Sequence, residues 1–144
     1  MKRFEEFLHN GIIQKQSPNV QRSLSLIKEA EEKKQFLIVS LKNIPAEQMN
    51  ANFMVDYCYD ILMELIRAKM FLDGFNAGNS HEAEVSYLRN LGFSEVQVLF
   101  MNELRYYRNG TKYYGTILNN NYAQKVLEFM NKLYPLLKEK LSSI

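Results

Sequence analysis

The segment from Glu103 to Gly115 carries the side chains of this chain that are best suited to binding a phosphate or a nucleic-acid base. Guanidinium groups pair with phosphates, and aromatic rings stack on bases. At the helical spacing of about 100° per residue, the polar residues of the segment share one face. This face predicts a binding surface or, alternatively, the solvated side of an amphipathic helix. The segment holds one acid, three cations and four tyrosines, and its polar face carries Arg105, Arg108, Asn109 and Lys112.

Three acidic residues, Asp56, Asp60 and Glu64, recur at four-residue spacing earlier in the chain. On a helix they form one stripe. Such a stripe could hold a divalent cation, because hard metal ions take oxygen ligands. The favoured interpretation is pairing with cations of a neighbouring helix, including those of the Glu103 to Gly115 segment. The two histidines, His9 and His81, lack zinc-ligand spacing, so neither a metal nor a cofactor is predicted.

Apolar residues recur at helical period along every long segment, which predicts an all-α fold without strands. Caps, prolines and glycines predict where each helix begins and ends. The third helix is apolar nearly all round and is therefore expected at the centre of a bundle. The predicted helices run from Arg3 to Asn10, from Pro18 (capped by Ser17) to about Leu41, from Pro45 to about Leu72 (ended by Gly74), from the cap Asn79 to about Asn90, from the cap Ser94 to about Lys112, and from soon after Asn121 through Pro135 and Leu141.

The composition is that of an ordinary globular domain. A chain of 144 residues with 47% hydrophobic and 24% charged residues is expected to form one domain with a real core. The net charge of +2 is too small to indicate nucleic-acid binding by itself. Any electrostatic argument must therefore rest on the local cluster of cations.

The remaining sequence features favour a cytoplasmic protein. Cys58 is the single cysteine and lies in an apolar run, which predicts a buried, inert thiol and excludes an internal disulfide. The N-terminal residues lack the apolar core of a signal peptide. The most apolar stretch is interrupted by Glu64, Arg67 and Lys69, so no membrane-spanning helix is predicted.

Arg108-Asn109 near the end of a helix, followed by a spacer and an aromatic pair, resembles the Arg-Asn-spacer-His signature of the HEPN superfamily, with Tyr113 where the histidine usually stands. The order of the chain from about Phe53 to Gly115, a little under half of its length, is also similar to HEPN domains. A long apolar helix ending at Leu72-Asp73-Gly74-Phe75 is followed by Ser80-His81-Glu82-Ala83, by Leu91-Gly92-Phe93-Ser94 and by the Arg-Asn helix.

The resemblance implies a fold: an HEPN-like up-and-down helical bundle with additional N-terminal helices. Residues 1–144 would form one domain, with 1–43 as an N-terminal helical extension and 44–144 as the core bundle. It also implies a homodimer. The interrupted apolar stretch, independently of the resemblance, predicts no association with a membrane.

The resemblance implies a function as well. RNA cleavage by HEPN proteins is attributed to the motif arginine and histidine, usually brought together across a dimer, and these positions fall on Arg108 and Tyr113. An ordinary tyrosine, with a pKa of about 10, is a poor general base. We therefore expect an RNA- or nucleotide-binding or interaction module that uses Arg105, Arg108, Asn109, Lys112 and Tyr113. Two alternatives stay open: a toxin-type, metal-independent endoribonuclease with Arg108 and Tyr113 as catalytic residues, and a structural helical dimer without a ligand.

HEPN proteins are also found with small nucleotidyltransferases, which makes such an enzyme a candidate partner. In some of these systems a tyrosine just beyond the motif histidine receives a nucleotide. Gly115 occupies that position here, so the acceptor is not carried over. Whether His81 and the acidic stripe line the site is left open by the sequence.

Overall fold

The computed structural model describes residues 1–110 and 117–142, and within these ranges the chain is mostly helical. The prediction of an all-α fold is confirmed. Beside the helices there are only two strands of two residues each and one 3-10 turn in this part of the chain. The helices are α1 Phe4–His9, α2 Val20–Asn43, α3 Ala51–Asp73, α4 His81–Asn90, α5 Glu95–Asn109 and α6 Asn120–Lys140; the 3-10 turn is Ala46–Gln48, and the strands are β1 Gln14–Lys15 and β2 Phe75–Asn76.

Two helix boundaries that govern the site were predicted correctly. The hydroxyl of Ser94 accepts a hydrogen bond from the Gln97 amide at 3.2 Å, and the Gln97 side chain accepts one from the Ser94 amide at 2.9 Å. This capping box fixes the start of α5. Gly74 ends α3 with φ at 85°, a left-handed conformation that favours glycine.

The predicted cap of the second helix at Ser17 is wrong, because Asn19 caps α2. The cause is tertiary. The backbone amides of Gln16 and Asn19 donate to the carbonyls of Gly74 and Phe71, both at 2.9 Å. These bonds hold the residues before α2 against the end of α3, so the helix starts later.

The third and fourth helices also begin later than predicted. Pro45 opens only a 3-10 turn, and Asn50 caps α3. Ser80, not Asn79, caps α4. In both caps a side-chain oxygen accepts the backbone amide three residues further on, which is the common capping geometry.

The two strands were not predicted. They pair antiparallel, with Gln14 opposite Asn76 and Lys15 opposite Phe75. A strand of two residues shows no alternation from which a sequence pattern could identify it. The pairing brings the backbone of Gln16 so close to Gly74 that a Cβ there would lie 2.6 Å from its carbonyl oxygen. Glycine at position 74 is therefore required by a close approach as well as by its φ.

Helix α3 lies at the centre of the molecule, as its apolar pattern predicts. It packs against α2, α4, α5 and α6, and the buried side chains form one cluster. Cys58 belongs to this core, so the prediction of a buried thiol is confirmed. Burial raises the pKa of the thiol to about 12, which disfavours the reactive thiolate.

Side-chain contacts give the directions of the helices. α2 and α3 are antiparallel, since Asn19 lies beside Phe71 and Phe36 beside Tyr57. α3 and α4 instead run in the same general direction, so the predicted up-and-down alternation is interrupted there. After α3 ends, the segment that contains β2 runs back beside α3, and α4 then begins near the middle of α3. Three contacts give this direction: Tyr59 with His81, Arg67 with Glu84, and Asp73 with Tyr87.

The N-terminal residues pack on the same core. Helix α1 contacts α4, and the ring of Phe4 lies 5.0 Å from that of Phe75 and 4.8 Å from that of Tyr87. The predicted division of the chain at residue 43 stays a prediction. None of the helices described here is long and apolar enough to cross a bilayer.

Candidate functional site

The predicted binding residues lie at the C-terminal end of α5, but only some of them belong to the described part of the chain. Arg105, Arg108 and Asn109 occupy the last two turns of this helix. Lys112 and Tyr113 lie outside the described residues. The capping box at Ser94 sets the start of α5.

Arg108 faces the acidic stripe of α3. Its guanidinium lies 3.2 Å from a carboxylate oxygen of Asp56 and 3.3 Å from one of Asp60. The side chains of Arg108 and Asp56 are each 22% exposed. The interpretation that the stripe pairs with the cations of α5 is therefore confirmed for Arg108. Because two carboxylates surround this one cation, it joins α5 to α3.

Glu64, the third member of the stripe, faces α2. It is only 6% exposed and pairs with Lys33. The pKa of the Glu64 carboxyl is raised, chiefly by burial; Lys33 lowers it, and the charges of Glu29 and Asp60 raise it. Burial lowers the pKa of Lys33, but the hydrogen bond and charge of Glu64, together with the charges of Glu29 and Asp60, raise it above its ordinary value. Among the described residues, one oxygen of Glu64 has no hydrogen-bond partner.

The stripe thus contacts two protein cations, Lys33 of α2 and Arg108 of α5. Within residues 1–110 and 117–142, no three histidine, cysteine, aspartate or glutamate side chains come together as a metal ion would need. The carboxylates of α3 hold its neighbouring helices in place.

Arg105 has a different environment from Arg108. Its Nε donates to the side-chain oxygen of Asn102 at 2.9 Å, and no ion pair of Arg105 occurs in the described part of the chain. It lines a cavity of about 400 Å³, which we call the small cavity, together with Asn109, His81 and Glu82. The structure therefore brings Arg105 and Asn109 together with His81, a placement that the sequence left open.

His81 is held at the mouth of this cavity by the core. It is the first residue of α4, and its Nδ1 lies 3.4 Å from the hydroxyl of Tyr59, whose side chain is buried. Burial raises the pKa of Tyr59 far above its ordinary value, so its hydroxyl remains protonated and can donate to the imidazole. A fixed group of the core thus orients an exposed histidine.

A larger cavity of about 670 Å³ adjoins the small one, and Asn79 and His81 line both. We call it the large cavity. It lies where the β1–α2 connection, the end of α3 and the β2–α4 connection meet. One wall carries Arg22, whose guanidinium lies over the ring of Phe71 at 5.6 Å. We call the two adjoining cavities, which share Asn79 and His81 in their linings, the cleft.

No family model, curated protein or solved structure matches this chain. A functional conclusion therefore depends on the geometry of the cleft and on the resemblance described above.

The lining of the large cavity includes a partly buried ion pair. Arg67 donates from two nitrogens to the carboxylate oxygens of Glu84, at 2.5 and 3.0 Å. The hydrogen bond to Glu84 raises the pKa of Arg67 further, so this guanidinium stays charged. Since the two charges offset each other, this part of the lining is polar without being strongly cationic.

Several residues of the cleft were not identified from the sequence. Arg22, Tyr59 and Glu84 lie on three different helices and show no motif spacing. A charged residue at Glu84, within an otherwise apolar face of α4, is the one local signal of a buried ion pair. The contacts themselves depend on the chain reversal at β2.

Proposed function

We propose that this chain is an HEPN-like module that binds RNA or a nucleotide in the small cavity, at Arg105, Asn109 and His81. The observation that supports the proposal most directly is the convergence of these three side chains, from two helices, on one cavity. Two of the three belong to the face that the sequence predicts as a binding surface.

The chemistry of the small cavity suits a phosphate. Arg105 supplies a cation, and Asn109 supplies an amide. The first turn of α4 borders the same cavity, and the N-terminal end of a helix favours an anion. Glu82 opposes a highly charged anion there, so a single phosphate fits the site better than a polyphosphate.

The HEPN resemblance adds assembly and location to the proposal. It supports a cytoplasmic homodimer, with a small nucleotidyltransferase as a further partner, and with Lys112 and Tyr113 as additional ligand contacts. Arg108 would serve this module by anchoring α5, since Asp56 and Asp60 offset its charge.

Binding of labelled single-stranded RNA across a salt series tests the proposal. Wild type should bind more weakly as salt rises, because phosphate contacts release counterions. Arg105→Gln should weaken binding and reduce the slope of log affinity against log salt by about 0.7. Lys42→Gln is the matched control, since it removes one charge from the last turn of α2 and lines neither cavity. Equal slopes for wild type and Arg105→Gln would contradict the proposal.

A metal-independent endoribonuclease is the second candidate. The observation in its favour is that His81, held by Tyr59, lines the same cavity as Arg105. An imidazole can exchange a proton with a ribose hydroxyl, and a guanidinium can stabilise the charge that develops on the phosphate. In this candidate His81 would exchange the proton, a role that the resemblance assigns to position 113.

Cleavage of a labelled RNA in the presence of EDTA tests this candidate. A ribonuclease at this site should lose activity in both His81→Gln and Arg105→Gln and keep it in Lys42→Gln. Activity lost in Arg108→Ala and Tyr113→Phe, but retained in His81→Gln, would instead support the original Arg108 and Tyr113 pair. Absence of cleavage by wild type would leave the binding module as the proposal.

A further inference from the structure

We infer that the large cavity is a subsite for the base of a nucleotide whose phosphate lies at Arg105 in the small cavity. The inference rests on the proposed function and names the ligand more closely: a nucleotide unit, either free or at the end of an RNA strand. It also gives a role to Arg22, which the binding face on α5 does not include.

The shape of the cleft indicates a ligand with two different parts. The two cavities adjoin, since Asn79 and His81 line both of them. The small cavity holds the cation Arg105 and the first turn of α4. The large cavity, at about 670 Å³, lies within the usual range for small-molecule sites. A ligand that fills both must join an anionic group to a bulkier polar one.

The surroundings of the three cations of the cleft assign the anionic group to the small cavity. In the large cavity Arg67 is already paired with Glu84 through two hydrogen bonds. Its charge is therefore offset, whereas Arg105 has no ion pair in the described part of the chain. Arg22, the other cation of the large cavity, lies over the ring of Phe71 and presents a guanidinium plane on which a base can stack. Arg105 lies beside the first turn of α4, where Glu82 leaves room for a single phosphate charge.

The large cavity has a surface on which a base can stack. The guanidinium of Arg22 lies over the ring of Phe71 at 5.6 Å, and Arg22 is exposed to the cavity. Bases stack on guanidinium planes as well as on aromatic rings. Phe75 lines the same cavity and is held by its edge contact with Phe4, at 5.0 Å between ring centroids.

Amide side chains around the large cavity match the polar edge of a base. The side-chain oxygen of Asn76 accepts the Gly78 amide at 2.8 Å, and that of Asn19 accepts the Arg22 amide at 3.0 Å. These bonds fix both amides and use their oxygens, so the N–H groups are the parts suited to a ligand. Ring nitrogens and carbonyl oxygens of bases accept such donors.

Isothermal titration calorimetry with AMP, ribose 5-phosphate and the 5′-phosphorylated trinucleotide AAA tests the inference. Wild type should bind AMP roughly tenfold more tightly than ribose 5-phosphate, a ratio typical of one stacked base. Arg22→Lys keeps the positive charge but removes the guanidinium plane. This substitution should lower the affinity for AMP to within about twofold of the affinity for ribose 5-phosphate, and it should leave the affinity for ribose 5-phosphate unchanged.

The outcomes separate this inference from the proposed function. Weaker binding of AMP or of the trinucleotide by Arg22→Lys supports the inference. If AMP shows the effect, the ligand is a free nucleotide; if the trinucleotide shows it, the ligand is the end of an RNA strand. Equal affinities of wild type for AMP and ribose 5-phosphate, or full AMP affinity in Arg22→Lys, would overturn it. In that case binding of ribose 5-phosphate that Arg105→Gln abolishes would still support the proposed function. No binding of any of the three ligands, or of RNA, would refute both.

Discussion

Arg105 and Arg108 show how far two identical side chains on one helix can differ in role. They lie three positions apart on α5, and the sequence assigns both to one binding face. Arg108 turns toward α3 and meets Asp56 and Asp60, whereas Arg105 turns toward α4 and lines the small cavity. Arg108 therefore belongs to the scaffold, and Arg105 belongs to the cleft.

Arg108→Ala is expected to lower the free energy of unfolding by about 1 kcal/mol, because partly buried ion pairs contribute more than exposed ones. The same substitution in an Asp56→Asn, Asp60→Asn background should cost less, since the carboxylates that need the cation are gone. Urea denaturation of the four proteins measures this coupling. A fully stable Arg108→Ala that binds RNA as weakly as Arg105→Gln would show instead that Arg108 contacts the ligand.

At the scale of the elements, α2 and α3 are joined by the buried pair of Lys33 and Glu64. Ser23 adds a second link, because its hydroxyl donates to the carbonyl of Ala68 at 2.8 Å. The pair costs desolvation on both sides, which is why burial dominates the pKa of Glu64. Leaving a nearly buried charge without its partner costs much of the stability of the fold, because the charge can no longer be compensated.

Lys33→Met should lower the free energy of unfolding by about 2 kcal/mol at pH 7, because it leaves the carboxylate of Glu64 buried without a cation. Since the pKa of Glu64 is raised in the folded protein, and rises further without Lys33, the folded state takes up a proton at a higher pH than the unfolded chain does. The stability lost in Lys33→Met is therefore largest at neutral pH and becomes smaller as the pH falls through the pKa of Glu64 in the folded protein. It vanishes below the ordinary carboxyl pKa of about 4.3.

Denaturation of wild type and Lys33→Met at pH 7 and pH 4.5 checks the sign of this dependence. Lys33→Met combined with Glu64→Leu is the control, and it should recover most of the lost stability at pH 7. A loss in Lys33→Met that is equally large at both pH values would show that packing of the lysine stem, not charge, causes it.

At the scale of the whole molecule, α5 exposes three large hydrophobic side chains along one face, with Glu103 between Leu99 and Tyr106. Val96 is 78% exposed, Leu99 49% and Tyr106 71%. Their spacing of three and seven residues places them along one face of the helix. An exposed stripe of this kind, on the helix that the HEPN resemblance associates with pairing, is the surface through which we expect two copies to associate.

We expect light scattering to show a dimer at micromolar concentration, and Leu99→Arg to convert it to a monomer that keeps its helical circular dichroism. Leu24→Arg is the matched control, because Leu24 is similarly exposed, at 43%, but lies on α2. A monomeric wild type would refute the prediction of a homodimer. A dimer that Leu24→Arg disrupts and Leu99→Arg does not would move the interface to α2.

The sequence by itself determined the helical class, the central position of α3, the capping box at Ser94, the end of α3 at Gly74 and the buried state of Cys58. These features follow from the side-chain period of the backbone and from hydrogen bonds between residues within one turn of each other. Such signals are complete within a short stretch of chain, so they can be interpreted without knowledge of the fold.

Only the tertiary structure decided the late start of α2, the shared direction of α3 and α4, and the separate environments of Arg105 and Arg108. Each depends on residues far apart in sequence, as the contact of Asp60 with Arg108 across 48 positions illustrates. Helical periodicity says which residues share a face, but it does not say which neighbour that face will meet. Which helices come into contact depends on how all of them pack together, because the burial of each apolar face constrains the positions of the other helices.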